Sequence, residues 1–174
     1  MGSDRGHDFQ EALYNEFMKP KVYLETTVIS YLASRPSRDL IVAANQQSTQ
    51  EWWEKQLAKV DVYISQLVVR EASSGDADAV KRRLEAIADF PLLEVSPEAT
   101  KLAEHLIAEK AIPEQAVEDA LHIAIAAVNG MNYLLTWNLK HIANAVIRVN
   151  VETACRMNGY EPPVICTPVE LMEV

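Results

Sequence analysis

The chain has 174 residues, 49% of them hydrophobic, with five glycines and no low-complexity tract, which suits one globular domain and excludes a disordered segment. Its formal net charge of −9 argues against broad nucleic-acid affinity through a basic surface, yet suits a carboxylate cluster awaiting a divalent cation that in turn draws phosphate. No apolar run approaches the roughly 20 residues of a membrane helix, and M-G-S-D-R-G-H-D-F-Q is too polar for a secretory signal.

Residues 1–20 are expected to form an N-terminal extension, partly helical because Phe9, Leu13 and Phe17 recur at helical spacing. Met18 suits a start equally well. Residues 21–174 are expected to form one domain. Val22 to Leu24 reads as strand and Thr27 to Ala33 as a short helix. A long helix is expected from about Asp39 to Lys59, with Val42, Thr49, Trp53, Leu57 and Val60 on its core face. Trp53 then belongs to the core, while Trp52 is turned outward for a partner, either a dimer mate or a segment of another protein.

Val62 to Ile64 reads as a second strand, leading into the helix Q-L-V-V-R-E-A. Asp76 caps the next helix, which carries the stripe Ala77, Val80, Leu84, Ile87, with Lys81, Arg82 and Arg83 opposite it, either on a solvated face or in contact with phosphate. Leu92 to Val95 is the third expected strand, and Ser96-Pro97 opens a further helix. The most apolar helix is expected over Glu114 to Val128, stopping at Asn129-Gly130. Tyr133 to Leu135 is a fourth strand, Asn144 to Met157 a helix ending at Gly159, and Val164-Ile165 a last strand. T-P-V-E, from Thr167, has the form of a capping box that opens a terminal helix. Cys155 and Cys166 have apolar neighbours and no metal-ligand spacing, so they are expected to be buried free thiols in a cytoplasmic protein. Short apolar strands alternating with helices imply an α/β fold, three layers α/β/α around a short, mainly parallel sheet.

In such sheets ligands gather beyond the carboxyl ends of the strands. Glu25 ends the first strand, Glu71 lies in the helix after the second, and Asn138 follows the fourth in L-L-T-W-N. Asp119 opens D-A-L-H-I-A-I-A-A-V, apolar on nearly every face, where a charged group needs a partner; no Lys or Arg is near it in sequence. A cation shared with Glu25 and Glu71 answers that need. Oxygen donors without a Cys/His cluster indicate Mg²⁺ or Mn²⁺. Structural readings stand beside these: Glu25 as a helix cap, Glu71 as a solvated residue next to Arg70, Asp119 as a hydrogen-bonded buried acid, Asn138 as a turn residue.

Together Y-L-E-T-T-V-I-S-Y-L, I-S-Q-L-V-V-R-E, V-E-D-A-L-H-I-A-I-A-A and L-L-T-W-N-L-K-H-I resemble the PIN-domain ribonucleases, including the VapC-type toxins of toxin–antitoxin pairs, from Lys21 to about Pro168. The resemblance implies a PIN-like fold and a metal-dependent endoribonuclease with Glu25, Glu71 and Asp119 as metal ligands. It makes Asn138 a weaker ligand or an orienter of water. It also implies an RNA substrate, an antitoxin partner and a homodimer. The family's first acid is normally Asp, so Glu25 adds a methylene and about 1.5 Å of reach. Asn138 removes a charge where Asp also occurs. Both changes loosen a second metal position, leaving one ion, or two with the second recruited by substrate phosphate.

Thr26 and Thr136 flank the acids and are expected to hold carboxylates or waters. His122, one turn after Asp119, reads either as an aid to a leaving group or as a hydrogen-bonded core histidine. Trp137 and His141 flank Asn138. Trp137 could stack on an RNA base or simply pack, and Lys140 could meet a phosphate or water. The alternative function is a PIN-like binding module of weak or no catalysis, acting through protein or RNA partners. A signalling receiver domain is disfavoured, because Glu25 stands where an aspartyl phosphate would form.

Overall fold

The structure, a computed structural model, describes residues 18–172. The helical expectation for Phe9, Leu13 and Phe17 lies outside the described residues. Five parallel strands form one sheet in the order β3-β2-β1-β4-β5. They are β1 (Lys21–Leu24), β2 (Asp61–Ser65), β3 (Leu92–Leu93), β4 (Tyr133–Leu135) and β5 (Val164–Cys166). Between them run α1 (Thr26–Ala33), α2 (Leu40–Gln56), α3 (Gln66–Ala72), α4 (Ala77–Ile87), α5 (Pro97–Ala108), α6 (Val117–Val128) and α7 (Ala145–Met157). A 3₁₀ turn, Leu57–Lys59, extends α2.

Successive strand residues point to opposite faces of a sheet. Val22, Tyr23 and Leu24 are all fully buried, so both faces of the sheet are covered at β1. One group of helices packs α1 against α2, α3 and α4, and another packs α5 against α6 and α7. The fold is therefore the expected α/β/α arrangement, parallel throughout. β1 pairs with β2 on one side and β4 on the other, so the strand order reverses there, the point at which open α/β sheets place their ligands.

Most expected elements are present with shifted ends. α6 begins at Val117, three residues later than expected, and β3 is only two residues long. Asp76 and Ser96 cap their helices as expected, and Asn144, expected as the first residue of its helix, caps it instead, each accepting from a backbone N–H. Gly130 and Gly159 follow α6 and α7 at positive φ of 63° and 83°, the left-handed stop that glycine adopts without strain. T-P-V-E forms a turn and no helix: Glu170 reaches back to the Thr167 backbone N–H at 2.8 Å, and no following helical segment continues it. Arg82 and Arg83 are not free on a solvated face, since their Nε atoms donate to Ala33 O and Ala72 O at the ends of α1 and α3.

The long helix is turned relative to expectation. Trp52 is fully buried, whereas Trp53 is half-buried and stacks edge-on against Phe90. The cause lies in two glutamines. Gln46 accepts from Ser37 N and donates to Arg35 O, and Gln56 donates to Met172 O. Backbone groups satisfy both ends of the Gln46 amide and the nitrogen of Gln56, while Gln56 Oε1 stays buried without a partner among the described residues. Both join Thr49 and Trp52 on the buried face, which a hydrophobic stripe does not reveal. Trp52 is therefore not available to a partner. Cys155 and Cys166 are buried and free, and burial pushes their thiols up to about 11 and about 12.

Candidate functional site

Strand ends and helix starts build the site at the carboxyl edge of the sheet. Glu25 continues the β1 ladder, its N–H donating to Leu135 O at 3.0 Å, and then caps α1. The residue is only 4% exposed. Oε1 accepts from Thr27 N at 3.1 Å, while Oε2 accepts from the hydroxyls of Thr27 and Thr136. The cap reading of Glu25 is thus realised, yet among the described residues this buried acid has no cationic partner.

Glu71 comes from the last turn of α3. Its Oε2 accepts from Thr26 Oγ1 and lies 3.0 Å from His122 Nε2. Burial alone would raise its pKa, but hydrogen bonds from His122 and the Thr26 hydroxyl, with the charge of Arg70, hold it below the ordinary carboxylate value. His122, on α6, is 1% exposed and pinned on its other side by Tyr23 Oη, 2.7 Å from Nδ1. Tyr23 Oη in turn lies 2.8 Å from Ser65 Oγ, the cap of α3. Burial pushes the Tyr23 phenol far above its ordinary value, so it stays a neutral donor and acceptor. The histidine is the hydrogen-bonded core residue that one reading expected, and it also touches an acid of the site.

Asp119 has a different set of partners. Its Oδ1 accepts from Asn138 Nδ2 and its Oδ2 lies 2.9 Å from His141 Nδ1. It is in the first turn of α6, with its side chain 20% exposed, so it is not the deeply buried acid expected. There the helix dipole favours a negative charge. Asn138 accepts from His141 N at 3.0 Å, and its own N–H donates to Thr136 Oγ1 at 2.9 Å. Thr136 therefore links the two halves, donating to Glu25 on one side and accepting from Asn138 on the other.

Among the described residues, the donors that lie within 4.8 Å of one another come from Glu25, Glu71 and His122. The expected trio of Glu25, Glu71 and Asp119 is not that group. Thr26 and Thr136 hold carboxylates as expected. Thr27, Tyr23 and His141 were not foreseen in these roles. A tyrosine in an aliphatic buried strand was the readable signal for the second, since its hydroxyl must find a partner. Trp137 is half-buried, its Nε1 donating to Thr49 Oγ1 at 2.8 Å and its ring 5.9 Å from Tyr31; Lys140 is exposed.

No family model and no curated protein matches the chain. Among solved structures, a chain of VapBC2 from Rickettsia felis, bound to a DNA fragment from their promoter, is similar with a TM-score of 0.56. Identity is 15%, and the match covers 84% of this chain and 98% of that chain. The likeness is one of fold, and it agrees with the PIN-like architecture expected.

Proposed function

We propose that this PIN-like chain is a divalent-metal-dependent endoribonuclease that hydrolyses RNA phosphodiester bonds and acts as the toxin of a toxin–antitoxin pair. The observation that carries this reading is the convergence of Glu25, Glu71 and His122 at the carboxyl edge of the sheet, beside the strand-order reversal. The donor set fits a cation: two carboxylates and an imidazole, with Glu25 buried and lacking any positive partner among the described residues. A bound divalent ion supplies charge for a scissile phosphate and a more acidic water.

The chain's own residues do the rest. Thr27 and Thr136 fix the rotamer of Glu25, and Thr26 fixes that of Glu71. Asp119 acts through its partners, orienting the Asn138 amide and holding the His141 ring by Nδ1. Lys140, exposed beside the site, is the residue this reading assigns to backbone phosphate, and Trp137, anchored by Thr49, serves packing first. An antitoxin partner follows from the same reading. It suits the VapBC2 complex that the fold resembles.

One observation favours the binding-module reading: every oxygen of Glu25 and Asp119 already accepts from, or lies beside, a donor of this chain. Incubation of single-stranded RNA with the purified protein separates the two. The nuclease reading expects cleavage with Mn²⁺ or Mg²⁺ that stops with chelator and in Glu71→Gln. RNA left intact with both ions, while still bound, supports the module.

A further inference from the structure

We propose that His122 is itself a ligand of the cation, through Nε2, and that the site therefore takes a first-row transition ion such as Mn²⁺, Fe²⁺ or Co²⁺ in preference to Mg²⁺. The inference rests on the metal-dependent reading above and specifies the metal class for that same site. Mg²⁺ favours an all-oxygen octahedron, whereas imidazole nitrogen suits the later divalent ions. A trio of two carboxylates and one histidine is thus biased against Mg²⁺ at equal concentration.

The geometry is already close to that of ligation. Glu71 Oε2 and His122 Nε2 stand 3.0 Å apart, about the separation of two donors with bonds of ~2.1 Å at a right angle. Glu25 brings its oxygen within 4.8 Å of both. The ring cannot swing away, being 1% exposed and held at Nδ1 by Tyr23.

Ligation needs the Nε2 lone pair, so the ring proton must sit on Nδ1. Without a cation, the hydrogen bond between Nε2 and Glu71 calls for a proton on Nε2, with Tyr23 Oη–H donating to Nδ1 and Ser65 Oγ–H donating to Tyr23 Oη. With a cation, Nδ1–H donates to Tyr23 Oη, and the phenolic hydrogen turns to Ser65 Oγ. Between the two arrangements one proton leaves Nε2 and one arrives on Nδ1, with none released overall. Hydroxyls donate or accept with equal ease, so the buried Tyr23–Ser65 pair serves either tautomer. An amide or carbonyl in place of Tyr23 Oη would lock the ring in one of them.

Nitrogen-15 histidine spectra of the full chain, with Zn²⁺ as a diamagnetic probe, test this directly. His7→Gln, His105→Gln and His141→Gln assign the signals. The expected result is Nε2–H for His122 in the metal-free protein and Nδ1–H, with a metal-shifted Nε2, at one equivalent of Zn²⁺. Calorimetry should show Mn²⁺ binding at least about tenfold more tightly than Mg²⁺, with the ratio falling towards one in His122→Asn. A His122 tautomer that does not change with Zn²⁺, an absence of Zn²⁺ binding, or equal affinity for Mn²⁺ and Mg²⁺ in the wild type overturns the proposal. The spectra need no variant at His122, so a folding defect in His122→Asn leaves the test intact. Mn²⁺ held by His122 without RNA cleavage would sink the nuclease reading alone. Cleavage with an unchanged tautomer would sink this inference alone.

Discussion

Replacing Thr136 with valine removes one hydroxyl at nearly constant volume from a position that is fully buried. Two bonds are lost. Glu25 Oε2 loses a donor at 2.7 Å, and the Asn138 N–H loses an acceptor at 2.9 Å. A hydrogen bond to a charged group contributes about 1.5–3 kcal/mol, and an amide left without a partner costs about 1–3 kcal/mol. Glu25 retains its two bonds from Thr27, and Asn138 is half-buried, so the lower part of each range applies. Thr136→Val should therefore destabilise the chain by about 2–4 kcal/mol, a large share of a typical total of about 5–15 kcal/mol. With a urea slope of about 2 kcal/mol per molar, the midpoint falls by about 1–2 M and the slope stays constant. In a Glu25→Gln background the same substitution should cost about 1 kcal/mol less, because the charge it supports has gone. A midpoint within about 0.3 M of wild type, or additivity of the two substitutions, would refute the view that Thr136 ties the two halves of the site together.

Trp52→Ala should cost about 3–5 kcal/mol and Trp53→Ala about 1–2 kcal/mol by urea melts, because only the former is fully enclosed; the reverse order would refute the observed rotation of α2. Glu170 should make stability pH-dependent. Burial raises its pKa, but the Thr167 N–H and hydroxyl and Arg148 outweigh this and lower it below the ordinary 4.5. A lowered folded-state value means a contribution that is complete above 4.5 and is lost as pH falls through the lowered value. Thermal melts of wild type and Glu170→Gln should differ at about pH 6 and converge at about pH 3, and a constant gap would count against this contact.

The sheet was legible because β1, β2 and β4 are short apolar runs, and Glu25 was legible because its acid interrupts one of them. Legibility failed where the deciding contacts join residues far apart in sequence. Asp119 looked uncompensated because only its sequence neighbours were in view, while its partner His141 lies 22 residues on. The start assigned to α6 also placed Asp119 too deep in the helix. Gln46 and Gln56 hid the buried face of α2, since their backbone partners at Arg35, Ser37 and Met172 are invisible to hydrophobic periodicity. His122 was singled out on α6, but its contacts with Glu71, on α3, and Tyr23, on β1, required the folded chain.

The most direct test of the account is the single-turnover rate of cleavage of single-stranded RNA in Mn²⁺, for wild type and Glu71→Gln. The account predicts cleavage by the wild type that chelator abolishes, and a fall of at least about 100-fold in Glu71→Gln while the variant remains folded. Intact RNA with the wild type, or an unchanged rate in the variant, would contradict it.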